Sequence, residues 1–548
     1  MRVWQRQSLN RSFTVLSAAA VALMAAALIV LLLPILLRGS RAVVFRGTVE
    51  FREMVYMELQ RGDPEALPEA LEKELAEAEE ARRPMYELID QFGMVLQPYE
   101  LSGDARAIYR DCRDELRRAA TAGEMDRDRA VGLIDAAKDI RNRLSDAFES
   151  TDRVEALTRL EGVLNDDHRP ALEETAAAEL FTMAETYAKA VRETDLSRRQ
   201  DYGAAYAEVV EVVRELFGPR PGDEAELLGQ LRYGATRLDR TQVLMDRLLY
   251  AETWVEVEPG EPLQKKRVPR TEQFAGTVLA DLFPMVENNL DAMLRPEPTF
   301  YWRYFFDKSI SGKLFGGVGK EIWGTLLLAG TAMAFAFPLG VISAAYLVEG
   351  TSEGRVVSVI RTCINTLAGV PSIVFGLFGL AFFVLFLIPL FGGPSTPSIL
   401  AGGLTLGVLV LPIIIRASEE AIKSVPPSYK EASLALGAGT ARTFLTVTFP
   451  AALPGILTGV ILALSRAAGE TAPILFTAAV WSGHTGGSLL EPTEALPYSA
   501  YKFATGDKLA AQAPHNQYGM IMTLILLVLI MNVGAIALRG RISRKLRG

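Results

Sequence analysis

Arg466 and Glu470 are two charged residues inside an otherwise apolar run near the C-terminal end of the sequence. Their spacing of four residues puts both side chains on one face of a helix. Arg466 follows Pro450 by sixteen residues, which is about 24 Å along a helix. If the run crosses a membrane, charges at that depth cost several kcal/mol unless they are paired or hydrated. Two interpretations stay open: a structural pair that compensates its own charge, or an arginine, held by Glu470, that attracts anions along a path.

Arg416 is a third charge of interest, at the end of another apolar run and beside Glu419 and Glu420. The simpler interpretation is a long side chain that extends to the polar boundary or packs in a loop. The alternative is that Arg416 contributes to the same anion path.

The sequence has no motif for covalent catalysis, nucleotide hydrolysis or metal binding. The string nearest to a phosphate-binding loop, GGVGKE at 316–321, lacks the required spacing and the hydroxyl that follows the lysine. His168, His484 and His515 lie far apart with no second ligand at metal spacing. We therefore predict no catalytic residue, no metal and no bound cofactor, and we expect any ATP hydrolysis to occur in a separate chain.

The segment 418–464 interrupts the apolar C-terminal half with one polar, helix-forming loop. Two prolines end one helix there, and Ser428 with Glu431 forms the Ser-x-x-Glu pattern of a capped helix start. We predict a short helix over about 429–436. Gly437 would end it, because glycine readily takes a positive φ. Such a loop is typical of a docking surface for a partner outside the membrane.

Several runs are long enough to cross the hydrocarbon core, which takes about 20 residues. They are Ser12–Leu37, Ile322–Val348, Thr362–Ile415 with two helices hinged at Pro389–Ser398, Thr443–Ala479 and Tyr518–Leu538. Six crossings follow. The first run exceeds the roughly 7 to 15 residues of a signal-peptide core and no cleavage site follows it, so we expect it to remain as an anchor.

The basic residues of the two tails predict the orientation. Arg2, Arg6 and Arg11 precede the first span, and five more follow the last: Arg539, Arg541, Arg544, Lys545 and Arg547. Short cytoplasmic segments carry an excess of Lys and Arg. Both termini are therefore predicted to be cytoplasmic, and the long segment between spans one and two to be extracytoplasmic.

That long segment differs sharply in charge from the rest of the chain. Residues 39–311 carry a net charge of −18, whereas the whole sequence carries −8. Residues 65–250 are rich in Ala, Leu, Glu and Arg, with apolar residues recurring at helical spacing, and 253–268 alternates around a Pro-Gly turn as a hairpin does. The negative charge argues against nucleic-acid binding. A solvated helical scaffold is the simpler interpretation, and a ligand sensor is the alternative.

These observations predict an α-helical integral membrane protein with a mainly helical soluble domain inserted between helices 1 and 2. The domains would be 1–38, the cytoplasmic tail and first span; 39–315, the extracytoplasmic domain; and 316–548, the remaining membrane domain. The last would carry a cytoplasmic loop at about 416–442.

Four sequence segments resemble those of a known protein family. Glu431, Ala432 and Ser433, closed by Gly437 and followed by a Pro-rich restart, have the layout of the EAA loop of ABC-importer permeases. The amino-acid sequence is most similar to the PstA family of phosphate permeases in three segments: LAGVPSIVFGLFGLA (367–381), LPIIIRASEEAIKSVP (411–426) and SRAAGETAPILFTA (465–478). The resemblance covers about 312–548 and the first span. Ser433 departs from it, since the family more often has a second alanine there.

The resemblance implies a six-span permease of the inner membrane that performs no chemistry itself. It implies that the loop with Glu431, Ala432, Ser433 and Gly437 docks on an ATP-binding subunit, and it supports a role for Arg466 and Glu470 in the path. Expected partners are an ATP-binding subunit dimer, a second phosphate permease subunit, an extracytoplasmic phosphate-binding protein and membrane lipid. Alternatives are a permease for another oxyanion, such as sulfate or molybdate, and a membrane receptor with an extracytoplasmic sensor.

Overall fold

The computed structural model describes residues 3–62, 67–223, 228, 233–255, 264–310, 313–351, 354–480, 488–506 and 513–546. Arg2, His484, Arg547 and the turn expected within 253–268 lie outside the described residues. The chain forms two compact units. The membrane unit comprises Met1–Phe45 and Thr299–Gly548, and the inserted unit comprises Arg46–Pro298.

The elements are mostly helices. In the inserted unit and the segment before it they are α1 (Val3–Ser40), α2 (Val49–Met57), α3 (Glu69–Leu96), α4 (Pro98–Ala122), α5 (Arg127–Glu149), α6 (Arg153–Leu164), α7 (Arg169–Leu172), α8 (Ala178–Arg192), α9 (Arg199–Phe217), α10 (Leu238–Leu249), α11 (Arg270–Gln273) and α12 (Leu282–Leu294). The short strands are β1 (Val44–Gly47), β2 (Tyr250–Val255), β3 (Gln264–Pro269), β4 (Glu297–Phe300), β5 (Ser309–Ile310) and β6 (Phe315–Gly316).

The rest of the membrane unit continues with α13 (Gly319–Ala345), α14 (Arg355–Ala368), α15 (Ser372–Gly379), α16 (Ile388–Leu390), α17 (Ile399–Lys423), α18 (Pro427–Ala435), α19 (Thr440–Thr443), α20 (Phe449–Gly469), α21 (Ala472–Thr477), α22 (Leu496–Thr505) and α23 (Pro514–Leu546). Wider π-helical turns at Tyr346–Gly350, Leu380–Leu387 and Phe444–Thr448 extend three of these helices.

Among the residues that the structure describes, six helices are long and apolar enough to cross a membrane, as predicted. They are Phe13–Ser40, Gly319–Gly350, Ser372–Leu390, Ile399–Lys423, Thr440–Gly469 and Pro514–Arg544. The third begins ten residues later than the apolar run suggested, because Pro371 separates it from α14. Helix α14 is amphipathic and buries only Val357, so residues 362–368 do not belong to the span.

Close helix packing holds the membrane unit together around α13, α17 and α20. A Cβ at Gly459 would lie 2.2 Å from the Cβ of Ala417, and one at Gly455 would lie 2.7 Å from that of Ala421. Small residues at both positions let α17 and α20 approach closely, as is usual between membrane helices. The two helices that flank the polar loop, α17 and α20, therefore pack closely against each other.

The inserted unit is mainly helical, as the composition predicted. One apolar core lies among α4, α5, α6 and α8, and a second joins α3 to α9, α10 and α12. The Asp126 and Asp152 side chains accept backbone N–H groups at the starts of α5 and α6, which satisfies donors that a helix start leaves free. Strands β2 and β3 pair antiparallel, so the hairpin strands are confirmed.

Candidate functional site

Helix α18 occupies the polar loop between α17 and α20, and it is an exposed surface element. None of its residues is buried. Glu431 and Ala432 are exposed and Ser433 is partly buried. Three apolar side chains also face outward, Tyr429, Leu434 and Leu436, the last being 90% exposed. Apolar side chains on a short exposed helix are typical of a surface that a partner covers.

Gly437 ends α18 in the geometry that the sequence predicted. Its φ is +84°, and its N–H donates to the Leu434 carbonyl at 2.9 Å while the Ala438 N–H donates to the Ser433 carbonyl at 3.2 Å. These two bonds form a Schellman motif, in which a left-handed residue closes the helix. No atom beyond the adjacent residues lies within 4 Å of a Cβ built on Gly437. The turn is therefore sharp and open on its outer side.

The start of α18 differs from the prediction. The residue before the helix is Pro426, and no side chain accepts a hydrogen bond there. Helix α18 begins at Pro427 instead of about Tyr429, so Ser428 lies inside its first turn and cannot cap it. Proline has no N–H to satisfy and a φ that suits the first helical position, which explains why the helix starts earlier.

Two polar contacts connect α18 to neighbouring elements. Lys430 forms an ion pair with Glu349, which lies in the π-helical turn that ends the second span. The Ser433 hydroxyl is 2.9 Å from the Thr443 hydroxyl at the end of α19. These two contacts connect α18 to the end of the second span and to the start of the fifth.

Arg466 and Glu470 form the pair that their spacing predicted. Arg466 Nε donates to Glu470 Oε1 at 3.2 Å, and the two side chains are 38% and 23% exposed. Helix α20 ends at Gly469, however, and Glu470 is its extended C-terminal cap. The fifth apolar run therefore divides, and residues 472–477 form the separate helix α21. Ending the helix here lets Glu470 reach back toward Arg466 while both remain accessible.

Arg416 lies in a different place, on a polar cavity of about 200 Å³ between α14 and α17. Glu419, Glu420 and Lys423 of α17 also line it, with Arg361 and Asn365 from α14. Neither Arg466 nor Glu470 is among the lining residues. The three cations outnumber the two carboxylates, so the lining has an excess positive charge that suits an oxyanion.

Sequence reasoning missed Arg361. Its Nη2 lies 2.9 Å from Glu419 Oε1 and donates to the Leu347 carbonyl at 3.3 Å, while Lys423 Nζ lies 2.8 Å from the same Glu419 oxygen. Glu419 is therefore paired with two cations, and Arg416 is exposed. The only signal was the position of Arg361 just before an apolar run, and that position alone does not identify its neighbours.

The inserted unit has two neighbouring carboxyl groups on α2, Glu50, which is buried, and Glu53, which is partly buried. Glu50 forms an ion pair with Arg82, whose guanidinium also donates to the carbonyls of Met293 at 2.9 Å and Phe217 at 3.0 Å. Glu53 lies one helical turn from Glu50. Burial first, and then the charge of Glu50, raise the pKa of Glu53 to about 7, although Arg82 acts to lower it.

Comparison with known proteins identifies the class. Residues 336–548 match the family described as binding-protein-dependent transport system inner membrane component. The probable ABC transporter permease protein YqgI of Bacillus subtilis (strain 168) is 36% identical over 244 residues, which is 42% of this chain and 80% of that protein. The chain belongs to this permease family.

Two further relatives are phosphate permeases by name. The phosphate transport system permease protein PstA 1 of Mycobacterium tuberculosis (strain ATCC 25618 / H37Rv) is 34% identical over 252 residues, 45% of this chain and 77% of that protein. PstA of Xylella fastidiosa (strain 9a5c) is 31% identical over 233 residues, 42% of this chain and 78% of that protein. The resemblance to PstA found in the motifs is therefore confirmed.

The permease assignment agrees with the six apolar helices of the membrane unit. The chain is an ABC transporter permease subunit of the inner membrane, and it is a transport component instead of an enzyme. The residues matched by the family lie entirely within the membrane unit, so the family says nothing of the inserted unit.

Proposed function

We propose that this permease forms half of the translocation path of an ATP-driven phosphate importer. The similarity of the membrane unit to proteins named phosphate permeases supports the substrate. The observation that carries the coupling part of the proposal is the exposure of α18, with Leu436 90% exposed beside the rigid turn at Gly437.

In this proposal α18 docks in a groove of an ATP-binding subunit. Tyr429, Leu434 and Leu436 would be buried there, and the open side of Gly437 would let the partner approach the backbone. When the paired ATP-binding subunits close, α18 moves with them. The Lys430–Glu349 ion pair and the Ser433–Thr443 contact then transmit the displacement to the second and fifth spans.

Arginine side chains supply the positive potential that an anion path needs. Arg466 would attract the substrate while Glu470 fixes its position, and Arg416 would act from the separate cavity between α14 and α17. Guanidinium groups bind tetrahedral oxyanions by paired hydrogen bonds. Because sulfate and molybdate have the same shape, the arginines alone do not select phosphate.

The complete transporter would contain two ATP-binding subunits, a second phosphate permease subunit and an extracytoplasmic phosphate-binding protein, surrounded by lipid. Both termini and α18 would face the cytoplasm. The inserted unit would then be extracytoplasmic. Its negative charge would repel free phosphate only weakly, because at physiological salt the interaction between charges is largely screened beyond a Debye length of about 8 Å. We infer a scaffold or regulatory role for it.

Docking can be tested by cross-linking from α18. Leu436→Cys, in a chain without its own two cysteines, should cross-link to a co-purifying ATP-binding subunit. Leu529→Cys is a matched control because that leucine is also exposed but lies on α23. Cross-linking from Leu529→Cys alone, or from neither, would refute the docking role of α18.

Substrate can be tested by uptake in cells that lack this gene. Restoring the chain should restore uptake of labelled phosphate, and excess unlabelled sulfate or molybdate should not compete. Competition by either anion at concentrations similar to phosphate would favour the alternative of a general oxyanion permease.

A further inference from the structure

Among the described residues of the membrane unit, the most deeply buried charges form one cluster at the start of α13. Lys313 Nζ lies 2.5 Å from Glu321 Oε1 and 2.6 Å from Glu494 Oε2, and it donates to the Ser499 hydroxyl at 3.0 Å. The Lys313, Glu321 and Glu494 side chains are 1%, 0% and 3% exposed. The cluster joins the segment before α13, α13 itself and the segment that leads into α22.

The charges of this cluster do not balance if both carboxyl groups are ionised. One ammonium group would face two carboxylates, and the excess negative charge would be enclosed away from water. An uncompensated buried charge is far more costly than a buried neutral group. When two carboxyl groups share one site, one of them normally keeps its proton.

A carboxyl oxygen without a hydrogen-bond partner also favours a proton in the cluster. Glu321 Oε2 is buried and has no hydrogen-bond partner among the described residues. A buried oxygen without a partner costs more when the group is ionised than when it is neutral, so this oxygen favours a neutral Glu321.

Among the residues that the structure describes, the elements around the cluster bring few other ionisable groups. His515 of α23 is buried beside Asn516, and the Asn516 amide donates to the Lys313 carbonyl at 2.7 Å. From α13 and α22 the polar neighbours are hydroxyl groups, Thr325 and Ser499, the first of which accepts the Leu496 N–H at 3.0 Å. A protonated His515 is the one alternative source of a second positive charge among these groups, and the experiment below separates it from a protonated carboxyl.

We propose that one of the two carboxyl groups, Glu321 or Glu494, keeps its proton, which with Lys313 makes the cluster an electrically neutral, buried proton-binding site of the membrane unit. The site is independent of the proposed substrate.

Infrared spectroscopy of the purified chain tests the proposal directly, because a protonated carboxylic acid has a C=O stretching band that a carboxylate lacks. The difference between wild type and Glu321→Gln should contain a lost carboxylic-acid band, and so should the difference for Glu494→Gln, since removing either partner leaves the other ionised against Lys313. Glu491→Gln is the matched control, because Glu491 is exposed and close to Glu494 in sequence. It should leave the spectrum unchanged.

Folding of the variants provides the second readout. Glu321→Gln copies the neutral acid and should retain the membrane level and melting temperature of wild type, whereas Lys313→Met should lower both. Absence of a carboxylic-acid difference band in both glutamine variants, with folding intact, would overturn the proposal and assign the second positive charge to His515. A band that is lost equally in Glu491→Gln would also overturn it.

Discussion

The pair formed by Arg466 and Glu470 lies where helix α20 ends, and it is only partly exposed. We expect Arg466→Ala to reduce transport more than Arg416→Ala does, because it leaves Glu470 without its cation. Glu470 is only partly exposed, so solvent compensates its lost partner incompletely, whereas the loss of the exposed Arg416 leaves Glu419 paired with Arg361 and Lys423. The measurement is uptake rate normalised to the membrane level of each variant.

Removing both charges distinguishes the two roles of that pair. If Arg466→Ala/Glu470→Ala recovers transport, the pair is structural and the anion-path assignment is wrong. Continued loss at normal membrane levels is the outcome that the path predicts, because the double variant has no unpaired charge but still lacks the guanidinium.

Glu53 makes the inserted unit sensitive to pH. Its pKa in the folded chain is about 7, above the ordinary value of 4.5, so the folded state keeps a proton that the unfolded state releases. The stability from this group is therefore complete below about pH 4.5 and is lost as pH rises through about 7. We expect the melting temperature to fall between about pH 5 and about pH 8, and Glu53→Gln to flatten that dependence.

Glu161→Gln is the control for this titration, because Glu161 is exposed on α6 in the same unit. It should leave the pH profile as in wild type. A profile for Glu53→Gln with the same slope as wild type would show that other groups cause the pH dependence.

Among the elements, α18 depends most on one residue. Gly437→Leu should reduce ATP-dependent transport strongly without preventing membrane insertion, because a non-glycine residue in the left-handed region costs roughly 1–2 kcal/mol and the side chain would occupy the open face of the turn. Uptake and ATPase rate, measured together, give the coupling ratio.

Gly439→Leu is a well-matched control. Gly439 lies two residues away, also has open space around a built Cβ, and has a φ of −70° that any residue adopts. Equal loss in both variants would mean that bulk anywhere in the loop is harmful, and normal coupling in Gly437→Leu would contradict the docking role of this turn.

Helix existence could be predicted from the sequence more securely than helix ends. An uncharged run of about 20 residues is long enough to cross the hydrocarbon core, so it predicts a span. The breaks at Pro371 and Glu470 lie inside longer apolar runs, whose average hydropathy gives no boundary. The prediction that Ser428 caps the helix was wrong for a different reason. Two alternative helix starts were adjacent in the sequence, and Pro427 was the better first helical residue.

The candidate sites also differ in how well the sequence predicts them. Gly437 and the Arg466–Glu470 pair could be found because their partners are near in sequence. The Lys313 cluster could not, since Lys313 and Glu494 are 181 positions apart and only the packing of α13 against the segment before α22 brings them together. Arg361 was missed for a similar reason, because Glu419 lies on another helix.

At the scale of the whole molecule, the prediction is the orientation of the chain. The basic tails predict cytoplasmic termini, so Arg6→Cys and Arg541→Cys should resist an impermeant thiol reagent in intact cells, whereas Ala122→Cys in the exposed end of α4 should be labelled. The background chain needs Cys112 and Cys363 replaced, since the second is exposed. Labelling of either tail before the cells are permeabilised would reverse the topology.

The measurement that tests the central claim most directly is ATP-driven uptake in proteoliposomes that contain this permease, the second permease and the ATP-binding subunits, with the binding protein added on its own side. The account predicts that labelled phosphate accumulates only when ATP is present, that sulfate and molybdate do not accumulate under the same conditions, and that omission of this chain abolishes uptake. Phosphate accumulation without ATP, or accumulation of sulfate or molybdate in preference to phosphate, would contradict it.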